Sequence, residues 1–328
     1  MSRPRLRLYT LGGTIAMVPD AGDGKGVVPV LDGTALLSAV PGLSDRADID
    51  VETVAQTGSA NLGFADMIAL AARIDRAAAE GMNGAIISQG TDTLAESAFV
   101  LNVIARPPIP VVLTGAMRHP AQLSADGAGN LHAAAIVACD ARLGGRGAQI
   151  VMNDCLIAAG GARKAHCSRL DAFTRDAGAI AGTIVEDALH LAHLPEALPH
   201  IPHSELREPV PFVPLVEAVY DDEGLMLDCL PGDCRGLVIA AHGGGHLSEA
   251  MAGRAKALAR RMPVLLASRT GAGRVLTRSY GYKGAEIDLI AGGLIPAGRW
   301  TPQQARLLLA LLLASGADRE RIHAALEQ

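Results

Sequence analysis

The chain has 328 residues, 49% of them apolar and 19% charged, with a net charge of -5. That much apolar material fills one large or two ordinary cores and excludes a disordered chain. The sparse, slightly acidic charge offers no cationic face to a phosphate backbone, which argues against nucleic acid as a partner, and five cysteines without paired short spacings read as reduced thiols.

In chain order, residues 1–5 lead into a strand without the apolar stretch of a secretory leader, which predicts a cytoplasmic protein. Arg5 to Thr10 reads as that strand, Thr34 to Ala39 as a helix ended by Pro41-Gly42, and Ile49 to Ala55 as a second strand. Phe64 to Glu80 carries Met67, Ile68, Ala71, Ala72, Ile74 and Ala78 at helical spacing and closes at Gly81. A strand over Ala85 to Ser88 follows. Asp92 is placed to cap a helix running to Ile104, and Pro107-Pro108 breaks the chain before a strand at Pro110 to Leu113. Asp126-Gly127 precedes a helix from about Asn130 to Cys139, and Gln149 to Met152 is a further strand. This alternation predicts an α/β protein whose larger N-terminal domain, 1–190, holds a parallel, doubly wound, flavodoxin-like sheet.

The proline-rich stretch from Leu189 to Pro214 has little periodicity and predicts a solvated linker over 191–213. Short apolar strands at Leu215 to Tyr220, Gly236 to Ala240 and Val264 to Ala267, with a helix over Leu247 to Arg260, predict a smaller Rossmann-like α/β domain over 214–328. Leu307 to Ala314 is the most apolar helical run. It falls well short of the roughly 20 residues that cross a bilayer, so it reads as a buried or interface helix and no membrane partner is expected.

Two threonines stand where buried strands run out. Thr14 ends Leu11-Gly12-Gly13-Thr14, and Thr91 opens Gly90-Thr91-Asp92-Thr93. In an open parallel sheet the carboxyl ends of the strands form the ligand crevice, so both hydroxyls can face one pocket. A threonine hydroxyl attacks only when a partner takes its proton. Lys164, if desolvated, could do so through Thr91, and backbone N–H groups near Gly13-Thr14 and Gly90-Thr91 could hold an oxyanion. Taken singly, Gly-Gly-Thr is a turn, Thr-Asp a cap and Lys164 a solvated amine. Other readings are weaker still. His190, His193, His200 and His203 with Glu196 suggest a metal, but prolines 195, 199 and 202 break the helix that would align them. Gly12-Gly13-Thr14 lacks the third glycine of a dinucleotide fingerprint. No metal and no cofactor are expected.

These two segments, with Val111-Val112-Leu113-Thr114-Gly115-Ala116-Met117-Arg118, Ser124-Ala125-Asp126-Gly127, the stretch around Lys164 and the stretch from Glu286 to Leu309, resemble the bacterial asparaginase and asparaginase/glutaminase family of threonine amidohydrolases. The resemblance implies cleavage of the side-chain amide of L-asparagine to L-aspartate and ammonia through an acyl-threonine. It makes Thr14 the nucleophile and Thr91, Asp92 and Lys164 its catalytic companions. It places Ser59 on the substrate α-carboxylate, Asp92 on the α-amino group, and Gly90, Ala116, Glu286 and His246 beside the substrate. Glu286 would reach a neighbouring subunit's site, within a homotetramer built of intimate dimers.

The sequence departs from the family at several points. The loop Asp20 to Pro29 lacks the aromatic residue that would close over the substrate, although Tyr280 or Tyr282 could replace it from elsewhere. Gln89 stands where many relatives have histidine, Ala60 where a glutamine often lies, and His246 where an asparagine is usual. These changes leave glutamine, a D-amino acid or another small amide open as substrate, and also a catalytically weak amino-acid-binding protein.

Overall fold

The computed structural model describes residues 3–19, 27–29, 37, 40, 42–173 and 179–327. The helix expected over Thr34 to Ala39 lies outside the described residues except for Leu37, and the loop from Asp20 lies outside them up to Gly26. The chain divides into two compact units, Met1–His203 and Ser204–Gln328.

The first unit is organised by β1 (Arg5–Gly12). A short ribbon of β2 (Met17–Pro19) and β3 (Val27–Pro29) follows, and then β4 (Asp48–Thr57), β5 (Gly84–Ser88), β6 (Val111–Thr114) and β7 (Ala148–Met152). Strand β1 lies parallel between β4 and β5, β5 is parallel to β6, and β6 is parallel to β7. The order β4-β1-β5-β6-β7 is the flavodoxin-like one, whose topological switch falls between β1 and β5. Strands β5, β6 and β7 are buried along their whole length, which is why they are almost uninterrupted apolar runs. The outer strand β4 alternates exposed and half-buried residues, and its Asp50 and Glu52 pair with Arg7.

The sheet then continues with three antiparallel strands, so it is mixed rather than wholly parallel. These are β8 (Cys155–Ala158), β9 (Ile180–Val185) and β10 (Ala188–Leu191). Tight turns make this possible: Asn153 and Asp154 before β8, and Glu186 and Asp187 before β10, all take positive φ.

The helix Leu94–Ile104 is buried at nearly every position, and Gly127–Ala138 is buried from Asn130 onward except at His132; together with Phe64–Ala79 they bury the apolar strands. The expected linker is only partly solvated, because its first half packs on this unit. Leu198 and Ile201 are buried, Ile201 N–H donates to Val103 O, and His203 Nε2 lies 2.9 Å from Asp75 Oδ2.

The second unit is a four-stranded parallel sheet in the order β11 (Leu215–Glu217), β12 (Leu237–Ala241), β13 (Val264–Ser268) and β14 (Ile295–Pro296). Its helix Pro302–Ala314 starts with a reciprocal cap between Thr301 and Gln304 and has proline in its first turn; Leu307 to Leu312 are buried. Among the described residues no helix is long and apolar enough to cross a membrane.

Candidate active site

Strands β1 and β5 end side by side, Thr10 pairing with Ser88, and the turns that follow them meet. Gly13 has φ +85, and a Cβ there would fall 2.2 Å from Gly90 N and 2.4 Å from Gly90 Cα. The turn starting at Thr14 and the turn starting at Thr91 are therefore packed backbone against backbone at the switch point, where ligands bind in folds of this order.

Ser59 joins them from the end of β4. It opens its own short turn and is 3% exposed, and its Oγ lies 2.9 Å from where a Gly90 Cβ would stand. Its carbonyl accepts a 2.8 Å bond from Thr93 Oγ1, while its own Oγ has no hydrogen-bond partner among the described residues. Thr91 is buried and Thr14 half-buried.

Lys164 reaches this group from the segment beyond β8. Its Nζ donates to Thr91 Oγ1 at 3.0 Å and to Asp92 Oδ1 at 2.6 Å, and its side chain is only 16% exposed. Asp92 is well exposed, so its pairing with Lys164 is screened by solvent and serves geometry more than stability. Asp92 does not cap the following helix as its position suggested. That helix starts at Leu94 with Thr93 before it and no side-chain cap, since Thr93 Oγ1 is turned to Ser59 and the Asp92 carboxylate to Lys164.

After β6, Gly115 and Ala116 lie against the same turns. A Cβ at Gly115 would fall 2.6 Å from Gln89 O and 3.1 Å from Thr91 Cγ2, and Ala116 is fully buried. Two residues with no role foreseen from sequence fix this loop. The Asp126 carboxylate accepts from Met117 and Arg118 N–H at 2.9–3.1 Å, and Asn130 Nδ2 donates to both Asp126 Oδ2 and Gly115 O at 3.0 Å. Asp126 stood in a quoted motif, whereas Asn130 carried no signal of its own. A third such residue is Glu96, one turn beyond Asp92. Burial raises its carboxyl above the ordinary range; its own backbone N–H opposes this, and the Asp92 charge adds to it.

His246 and Glu286 belong to the second unit, where the structure brings them together. Glu286 is fully buried, unlike most glutamates, with Oε1 accepting from Ser279 and Tyr280 N–H at 2.7 Å each and Oε2 3.1 Å from His246 Nε2. Burial works to raise its carboxyl, but the backbone N–H donors and His246 outweigh it and hold Glu286 below the usual carboxylate range.

A hydroxyl, an amine and a carboxylate are thus grouped at the switch point of a flavodoxin-like sheet, in a chain with a second parallel α/β unit. The profile described as asparaginase, N-terminal, matches residues 5–196, and that described as glutaminase/asparaginase C-terminal domain matches residues 213–326. The chain belongs to the asparaginase family. It is 37% identical to the probable L-asparaginase of Deinococcus radiodurans, over 98% of this chain and 96% of that protein. It is 31% identical to L-asparaginase 2 of Bacillus subtilis, over 98% of this chain and 85% of that protein. Among solved structures, the probable cytoplasmic L-asparaginase of Campylobacter jejuni superposes with a TM-score of 0.86 at 29% identity, covering 99% of both chains.

Proposed function

We propose that this protein hydrolyses the side-chain amide of L-asparagine to L-aspartate and ammonia through an acyl-threonine. As Thr14 Oγ bonds to the amide carbon, Thr91, backed by Lys164, takes the Thr14 proton and passes it to the nitrogen, which leaves as ammonia. Water then attacks the ester and gives a proton to the Thr91–Lys164 pair, which returns it to Thr14 Oγ as the acid leaves. Backbone N–H groups of the two abutting turns hold the oxyanion, each worth about 3 kcal/mol in the transition state. Ser59 takes the substrate α-carboxylate and Asp92 its α-amino group, with Gly90 and Ala116 lining the amide end.

The observation that carries this reading is the 3.0 Å contact between Lys164 Nζ and Thr91 Oγ1 on a turn whose glycine touches the glycine before Thr14. We take the working form to be a cytoplasmic oligomer, a tetramer of intimate dimers, in which His246 and Glu286 of one copy complete the site of another. The domain boundaries of this reading are 1–190 and 214–328, with 191–213 between them. The deciding experiment measures ammonia release from L-asparagine by the wild type and by Thr14→Ala. Release by the wild type with loss in the variant supports the reading; equal release by both removes Thr14 from its role.

A further inference from the structure

A cleft of about 650 Å³ opens in the second unit, and none of the site residues described above lines it. That volume lies within the range of small-molecule sites. One wall is the short turn Leu225–Cys229 with the segment that follows it. The other is the helix Glu249–Ala259, whose last turn closes where Met262 N–H donates to Leu258 O at 3.1 Å.

The two walls are clasped together. Arg254 Nε donates to Asp228 Oδ2 at 2.8 Å and Arg254 Nη1 to Glu223 O at 3.0 Å, so the distance between turn and helix is set by bonds that cross it. Gly253 on the helix and Gly232 on the opposite wall both line the gap, and a Cβ built on either meets nothing within 4 Å. The floor is apolar. Leu227 is buried, while Leu230, Leu258 and Met262 are half-buried against the core of the unit and leave the rest of their surface uncovered.

The carboxylate and guanidinium groups lining the gap do not cancel. Asp228 is matched by Arg254, whereas the guanidinium of Arg261 makes no hydrogen bond or ion pair among the described residues. Gly253, Ala257 and Arg261 recur at intervals of four, so the unmatched charge and the open gap share one helical face. A guanidinium holds a carboxylate through two parallel N–H donors, and apolar surface beside it takes whatever that carboxylate is attached to. A cationic head would meet the Arg261 charge instead.

We propose that this cleft binds a small apolar carboxylate, with its anion on Arg261 and its alkyl chain or ring lying between Gly253 and Gly232 on the leucine and methionine floor. The site uses no residue of the amidohydrolase reading and stands or falls independently of it.

Titration calorimetry of the full chain tests the assignment. The wild type should bind octanoate saturably, octanol and octylammonium at least about 10-fold more weakly, and acetate, which lacks the chain, not at all. Arg261→Gln removes the charge and should weaken octanoate about 10-fold or more while leaving octanol unaffected. Gly253→Leu fills the gap with a residue that favours the helix, and should abolish binding of both. Melting temperatures establish that the two variants are folded. No saturable octanoate binding by the wild type, octanol held as tightly as octanoate, or an octanoate affinity unchanged in Arg261→Gln overturns the proposal. Unchanged affinity in folded Gly253→Leu places the octanoate elsewhere and overturns it as well.

Discussion

Gly13 and Gly90 are packed backbone to backbone, so closely that a Cβ at Gly13 would overlap the Gly90 backbone. The contact joins the ends of β1 and β5 and brings the Thr14 turn onto the Thr91 turn. Gly13→Ala meets this backbone at 2.2 Å and also carries φ +85, so neither neighbour can give way cheaply. The variant should be destabilised by about 3 kcal/mol or more and lose its activity. Gly129→Ala is the control. It lies exposed in the helix Gly127–Ala138 with open space around it, and should gain about 0.5–1 kcal/mol. Urea or thermal unfolding of the two variants checks the contrast, and equal stability would show that the close approach is not a constraint.

Lys164 sits between a buried hydroxyl and an exposed carboxylate, and substitution separates the two contacts. Lys164→Met keeps most of the apolar stem but leaves Thr91 Oγ1 without its amine. It should lower kcat by about 10²- to 10⁴-fold with little change in fold. Asp92→Asn keeps the shape and removes the charge that its proposed role offers to the substrate ammonium, so it should act mainly by raising KM. Steady-state kinetics on both variants decide between these roles, and a reversed pattern would exchange them.

Glu286 makes acid stability a test of the second unit. Its carboxyl is held below the ordinary value in the folded chain, so the unfolded chain binds the proton more readily. The stabilisation is present above the unfolded glutamate value of about 4.3 and is lost as pH falls through the lower folded value. Glu286→Gln cannot lose it by titration. Melting temperatures taken from about pH 6 to about pH 3 should fall less steeply in the variant than in the wild type. Parallel curves would mean that Glu286 does not contribute to the acid transition.

Much of the architecture was legible because its strands are buried on both faces. Ala85-Ile86-Ile87, Val111-Val112-Leu113 and Leu237-Val238-Ile239 are apolar runs bounded by breakers, and each is a strand. The antiparallel extension was not legible. Strand β9 holds Gly182 and Thr183 among its apolar residues and β10 spans only Ala188–Leu191, so neither reads as an apolar run, and their hairpin turns on Glu186-Asp187, which lacks the Asn-Gly signal of such turns. At the site, Gly12-Gly13-Thr14 and Gly90-Thr91-Asp92 announced two turns at strand ends. That Lys164, 73 positions after Thr91, donates to it is a matter of tertiary packing that no local pattern encodes. Burial of Glu286 was hidden for a related reason, because the N–H groups of Ser279 and Tyr280 that satisfy it carry no side-chain signature.

The hydroxyl of Ser59, which has no hydrogen-bond partner among the described residues, has a thermodynamic consequence. A polar atom enclosed without a partner costs about 1–3 kcal/mol, a sizeable share of the margin by which a domain stays folded. A carboxylate bound there, the role proposed for Ser59, would remove that cost. On that proposed role, occupancy and resistance to unfolding are thermodynamically linked, so bound L-aspartate should protect the wild type against unfolding more than it protects Ser59→Ala.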